Sequence, residues 1–228
     1  MRSLSLALCV LLAAAAVQAG TREIELSLPL RSKFQISGHE RLQIGPFLRE
    51  TRGDEAPAAL KFDVAQEFER FLRKLLRKEG KFVILPAIEG VRLSTTDPLQ
   101  LSKDTEFWRE LGTRAGADYV VAGSIEFTVQ DTTQPKMESY ESPIDGRTYY
   151  RQVMVEQTGF TYDILLNVYD ARTGALVFQE PFKDTQEREE RSFDEFTGMF
   201  ANLYALENKL VGVFVPRTVK TKRFLFLP

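Results

Sequence analysis

The sequence predicts an α/β (α+β) fold, a mixed β-sheet flanked by about three helices with a protruding hairpin or loop, and three observations predict it. An apolar seam at helical spacing over residues 60–78 runs directly into a compact apolar strand at 82–88. A second helical pattern over 103–115 feeds a strand at 117–129 that opens apolar on both faces. Two alternating stretches then fold back on each other about Thr173-Gly174. A helix that delivers the chain into a buried strand, twice over, belongs to a layered α/β arrangement and not to an all-β sandwich.

The elements follow in order. Ile24, Leu26, Leu28 and Leu30, then Phe34 and Ile36, then Leu42 and Ile44 alternate with polar residues. Pro29, Gly38 and Gly45 punctuate them, which is the period-two signature of short strands. Val64, Phe68, Leu72, Leu75 and Leu76 mark the first helix, with Gly80 as its stop. Arg70, Arg73, Lys74, Arg77 and Lys78 form a solvated face suited to the negative end of the helix dipole. Residues 91–101 read as a loop around Asp97-Pro98. The second helix carries Phe107, Trp108 and Leu111 on its apolar side, Asp104 and Glu106 near its start, and Gly116 at its end.

The strand at 117–129 should begin central and finish exposed. Residues 131–149 are polar and rich in turn formers, and read as the protruding hairpin or loop. Strands follow at 150–156 and 160–169, and the turn from Ala171 to Gly174 leads into a strand at 175–182. Ser192 and Glu195 form a capping box for a third helix, with Phe193, Phe196, Phe200, Leu203, Leu210 and Phe214 on one face and Pro216 at its end. Residues 217–228 read as a final edge strand that buries Phe224 and Phe226.

Composition removes several functional classes. With 43% hydrophobic and 27% charged residues the chain is neither disordered nor fibrous. A net charge of −2 gives no pull toward nucleic acid, so no nucleic-acid partner is expected. Arg2, the uncharged apolar run 4–17 and the small-residue site Val17-Gln18-Ala19 form a cleavable signal peptide over 1–19, directing a single domain, 20–228, to the periplasm or beyond. That run is shorter than the about 20 apolar residues a membrane helix needs, so no transmembrane segment is expected in the mature chain. Cys9 lies inside the run, which leaves the mature chain without cysteine, disulfide or lipid anchor.

Catalytic signatures are sparse. The lone imidazole, His39, sits in a polar Gly38-His39-Glu40 turn. No phosphate-binding glycine loop, zinc motif or calcium loop is present. No catalytic residue, metal ligand or cofactor is therefore assigned. A pair of carboxylates could still serve a secreted hydrolase, because such pairs need no fixed spacing.

Interaction residues are easier to name. Tyr140, Tyr149 and Tyr150 fall in or beside the protruding segment, and tyrosine is favoured at interfaces. Arg217, Lys220, Lys222 and Arg223 precede a terminal aromatic run and could meet an anionic surface. At about 1 kcal/mol per cation they would supply roughly 4 kcal/mol, too little for stable anchoring alone.

The stretch Gly116-Ala117-Asp118-Tyr119-Val120-Val121-Ala122-Gly123-Ser124-Ile125, entered from a short helix, resembles a recurrent segment of exported bacterial proteins. It is similar to the soluble domain of the curli-production transport component (CsgG-like), to the lipoprotein activators of penicillin-binding proteins, and to the amino-terminal domain of the Tol system's propeller protein. The order of elements matches over residues 42–182. The resemblance implies a non-catalytic periplasmic assembly, secretion or activator module, with Asp118, Gly123 and Ser124 as structural turn and strand residues. This chain departs from it in lacking a lipoprotein cysteine and the amphipathic hairpins of a channel. The expected partner is an envelope protein, with a homo-oligomer possible.

Overall fold

The computed structural model describes residues 21–50, 62–79, 82–188 and 195–226. In chain order the elements are β1 (Thr21–Leu30), β2 (Arg41–Arg49), α1 (Val64–Glu79), β3 (Val83–Ile84), α2 (Pro98–Lys103), α3 (Thr105–Ala115), β4 (Tyr119–Glu141), β5 (Thr148–Asp170), β6 (Leu176–Arg188), α4 (Glu195–Phe214) and β7 (Arg217–Phe226). They fall into two compact units. Residues 33–215 form the larger, and the described parts of 1–32 and 216–228 form the smaller.

The larger unit is a mixed α/β layer structure. Its sheet runs β3-β2-β4-β5-β6, with β3, β2 and β4 parallel and the remaining pairs antiparallel. Side chains alternate across a strand, so parity sorts the residues between the two faces. On one face Val121, Ile125 and Phe127 of β4 and Phe160, Tyr162, Ile164, Leu166 and Val168 of β5 join α1 and α4 in the main core. On the other, Val120, Ala122 and Tyr169 pack with Leu101, Trp108 and Leu111 from α2 and α3.

The helices form for local reasons. Asp63 Oδ1 accepts the N–H groups of Ala65 and Gln66, capping α1. Val64, Phe68, Phe71, Leu72, Leu75 and Leu76 then lie on its buried stripe. The expected stop at Gly80 and the capping box at Ser192 and Glu195 fall on residues or side chains outside the described ones, as does the signal peptide.

Several expectations change. Asp97-Pro98 does not center a loop but starts α2: Asp97 Oδ1 accepts from Leu99 N–H, and Pro98 occupies the first helical position, where its missing N–H costs nothing. The strand expected at 82–88 is only two residues long, since β3 pairs with β2 at Arg41 and Leu42 alone. No strand forms about Phe34 and Ile36; Phe34 packs instead edge-on to Tyr119 at 5.2 Å. Arg73 is not on the solvated face of its helix, because it reaches back to donate to the carbonyl of Ile44 at 3.0 Å. On α4 the buried seam is Met199, Leu203, Leu206, Leu210 and Phe214, while Phe196 is 44% exposed.

The smaller unit is a two-stranded antiparallel ribbon, β1 against β7, in register from Thr21↔Phe226 to Leu30↔Arg217. The tail is thus a strand, but Phe224 is 64% exposed and not buried.

Candidate functional site

The most exposed regular structure in the larger unit is the outer half of β4 and β5. Their pairing runs without a register shift from Tyr119↔Asp170 to Glu141↔Thr148. β2 leaves β4 at Ile125, and β6 leaves β5 at Thr158. Beyond that point, among the described residues, two strands continue without a third as an arm, from Thr132↔Gln157 to Glu141↔Thr148, about 30 Å long at ~3.4 Å per residue. The segment expected as a hairpin or loop is therefore a regular hairpin, and the separate strands expected at 150–156 and 160–169 are one.

The turn is closed by its own polar groups. Ser142 N–H donates to the Arg147 carbonyl at 2.9 Å, and Gly146 takes the left-handed φ of 65°. Asp145 accepts from the Arg147 N–H at 3.2 Å and from the Tyr149 hydroxyl at 2.7 Å. The phenol in turn titrates above its ordinary value, because the carboxylate favours the protonated form.

The arm separates the three tyrosines. Tyr140 and Tyr149 are directly opposite, with ring centroids 6.0 Å apart, and the Arg151 guanidinium lies 5.3 Å over Tyr140 while donating to Glu138. Tyr150, the next residue along β5, points to the other face. There it shares a stripe with Met137, Met154 and Pro135, whose register pairs are Gln152↔Met137, Met154↔Pro135 and Tyr150↔Ser139. Tyr150, Met137 and Met154 are 71%, 63% and 64% exposed. Sequence reading missed the two methionines, since only the register shows that they share a face with Tyr150. Strand alternation around 150–156 was the available signal.

A second feature is a cleft of about 770 Å³ beside the carboxyl end of β2, lined by the β2 backbone, α1 and residues 87–93. A bulge at Gly45 and Pro46 shifts the β2–β4 register and frees the Phe47 N–H, which donates to Glu69 Oε1 at 3.0 Å. Burial pushes the Glu69 carboxyl up to about 7, against the opposing pull of that N–H and of Arg73. The carboxylate of Asp63, which raises it further, is committed to capping α1.

His39 lies in an exposed turn, where its backbone N–H donates to Glu40 at 3.1 Å. Glu40 also accepts from the Ser37 and Gly38 N–H groups and the Ser37 hydroxyl, which together hold its carboxyl down at about 2. Arg217, Lys220, Lys222 and Arg223 all lie on β7, where Lys220 meets Glu25 at 2.8 Å and Lys222 meets Glu23 at 2.7 Å. Among the described residues no three His, Cys, Asp or Glu side chains gather in a way that could hold a metal ion. No helix among them is long and apolar enough to cross a membrane.

Residues 61–197, more than half of the chain, match the family described as flagellar assembly protein T, middle domain. The match holds α1 through β6, including the whole arm, and leaves out β1, β2, β7 and all but the first turn of α4. No curated protein matches the sequence. Similar solved structures include the hypothetical protein CT253 from Chlamydia trachomatis, at 16% identity and a TM-score of 0.44 over 76% of this chain and 96% of that one. The PelC dodecamer from Paraburkholderia phytofirmans aligns at 15% identity and a TM-score of 0.37, covering 86% of this chain and 100% of that one. The C-terminal domain of LpoB from Salmonella enterica aligns at 13% identity and a TM-score of 0.35, covering 66% and 86%.

Proposed function

The chain belongs to the flagellar assembly protein T middle-domain family, and from that premise we propose that it is an exported, non-catalytic protein-interaction module of a bacterial cell-envelope assembly, the flagellar one. Its place is the periplasm, reached through the signal peptide over 1–19, and its role is of the kind shared by CsgG-like modules. The contact surface is the arm. Tyr140, Tyr149 and Tyr150 engage an envelope protein, and Arg217, Lys220, Lys222 and Arg223 form a separate contact on β7.

One observation carries this reading: the sheet extends two strands well past its own core and clothes them with exposed tyrosine and methionine. Arm side chains bury little in the chain itself, so selection for folding gives no reason to keep them apolar. Tyrosine offers a large amphipathic contact area, and methionine adapts to irregular partners. The open backbone edges of a two-stranded ribbon also suit a partner strand.

A photo-crosslinking residue at Tyr140, and separately at Tyr150, tests this in intact cells. The expected result is a discrete adduct with one envelope protein from at least one face. No protein adduct above background from either position overturns the reading.

The cleft at Glu69 favours one other reading, a carboxylate hydrolase, because a carboxyl poised near neutral pH suits general acid chemistry. Turnover that is lost in Glu69→Gln while crosslinking persists would support it.

A further inference from the structure

The two faces of the arm differ in chemistry. Lys136, Glu138 and Arg151 stand on the face that carries Tyr140 and Tyr149, and Glu138 and Arg151 pair there at 2.9 Å. By register Pro135, Met137, Ser139, Tyr150, Gln152 and Met154 share the other face, all exposed and none of them charged. Met137 stands opposite Gln152, so Met154 and Tyr150 are its diagonal neighbours on β5. Diagonal neighbours lie roughly 7–8 Å apart, a gap that long side chains bridge. The two thioethers therefore form one patch at the middle of the uncharged face.

Apart from Met1 the sequence has three methionines. Met199 lies in α4, wholly buried in the main core, whereas Met137 and Met154 are 63% and 64% exposed. A methionine inside a core fills a gap between packed neighbours, and the two on the arm fill none in this chain. A dense interior also keeps reagents from a sulfur that a surface position leaves open. The chain thus holds two accessible methionines side by side and one shielded methionine as an internal reference.

We propose that Met137 and Met154 form a reversible oxidation site that switches the uncharged face of the arm. A peroxide is the oxygen donor. Its O–O bond breaks as an S–O bond forms, the sulfur gives up two electrons, and the departing hydroxide takes the proton from the transferred oxygen and leaves as water. The sulfoxide replaces a flexible apolar group with a polar one. Two of them together hydrate the centre of the face and leave the charged face as it was. A thiol-dependent methionine sulfoxide reductase reverses the step: the oxygen departs as water while two thiols become a disulfide. As thioethers the pair admits the envelope protein, and as sulfoxides it excludes it. The switch rests on the arm contact proposed above and narrows that contact to the Tyr150 face.

Hydrogen peroxide applied to the full-length chain tests the site, with sulfoxide followed by mass spectrometry. Tryptic cleavage after Lys136, Arg151 and Arg191 puts the three methionines in separate peptides. Met137 and Met154 are expected to oxidise at least about tenfold faster than Met199, with Trp108 emission unchanged. The photo-crosslinking residue at Tyr150 then reads the contact in intact cells. Peroxide should lower the wild-type adduct at least about fivefold, and Met137→Gln with Met154→Gln should lower it as far without oxidant. Met137→Leu with Met154→Leu should keep the adduct under the same peroxide, which separates oxidation of the arm from oxidation of the partner. Equal oxidation of Met199, an adduct that survives conversion of both arm methionines, or an adduct lost in the leucine variant as in wild type overturns the proposal. An adduct from Tyr140 alone also overturns it and leaves the arm contact standing, whereas no adduct from either position overturns both.

Discussion

The carboxylate of Asp118 accepts the backbone N–H of Arg41 at 2.8 Å and so ties the first turn before β4 to the first residue of β2, 77 positions earlier. Gly116 caps α3 in the left-handed region at φ 64°, and Ala117 N–H returns to the Gly112 carbonyl. The Gly-Ala-Asp run thus ends a helix and sets the alignment of two parallel strands in three residues. Hydrogen bonds from Arg41 hold the Asp118 carboxyl below its ordinary range. Asp118→Ala should cost about 1–2 kcal/mol, read as a lower urea midpoint by Trp108 fluorescence. Because the folded-state value is depressed, the aspartate's contribution is complete above the ordinary carboxylate range and lost as pH falls through the depressed one. The difference between variant and wild type should close under acid.

Gly123 should tolerate no side chain. A Cβ there would lie 1.8 Å from the Leu165 carbonyl oxygen, a backbone atom of the neighbouring strand that cannot swing away. Gly123→Ala is expected to lose more than about 3 kcal/mol or fail to accumulate as folded protein. A cooperative melt close to that of wild type would contradict this.

Trp108 stacks on Tyr169 at 4.2 Å and 13° between planes, and its indole N–H donates to the Leu101 carbonyl at 2.8 Å. Trp108→Ala should lose about 3–5 kcal/mol by leaving a cavity. Trp108→Phe keeps an aromatic face over Tyr169 and removes only the indole hydrogen bond, because the Leu101 carbonyl still accepts the Asp104 N–H at 3.2 Å; it should lose about 1 kcal/mol. Chemical denaturation followed by far-ultraviolet dichroism orders the three proteins.

Glu69 predicts a pH dependence of the opposite sign. Its folded value, about 7, lies above the ordinary 4.5, so the folded state binds this proton more tightly than the unfolded chain does. Stability therefore falls as pH rises from 4.5 through 7 and is level beyond. Glu69→Gln keeps an acceptor for the Phe47 N–H without the buried charge. It should match wild type near pH 4.5 and exceed it at pH 8 by about 1 kcal/mol, a figure reduced from the full shift because the group is partly solvated. Thermal melts across that range decide it; a gap constant with pH rules out the titration.

The arm should be dispensable for folding. None of its residues from 132 to 157 belongs to either buried cluster. Replacing them by Asn-Gly closes Asp131↔Thr158 with a two-residue hairpin turn. The melting temperature is expected to stay within about 3 °C, while co-purification of the envelope protein crosslinked by the full-length chain is lost in the same protein.

What the sequence determined by itself was the layer plan. Helical spacing from Val64 to Leu76 and strand alternation from Phe160 to Val168 are local patterns. Burial of one face follows wherever such a stripe exists. The turn at Thr173-Gly174 was equally legible, because a glycine after turn formers marks a positive-φ position, and Gly174 has φ 73°. Tertiary structure decided everything that depends on which strands meet. Register put Met137 and Met154 beside Tyr150 and turned Tyr140 and Tyr149 the other way. It also brought the two ends of the chain into one ribbon, and brought Glu69 to the N–H that the Gly45-Pro46 bulge left unpaired. Each of these joins residues far apart in sequence, and composition and periodicity describe only neighbours along the chain.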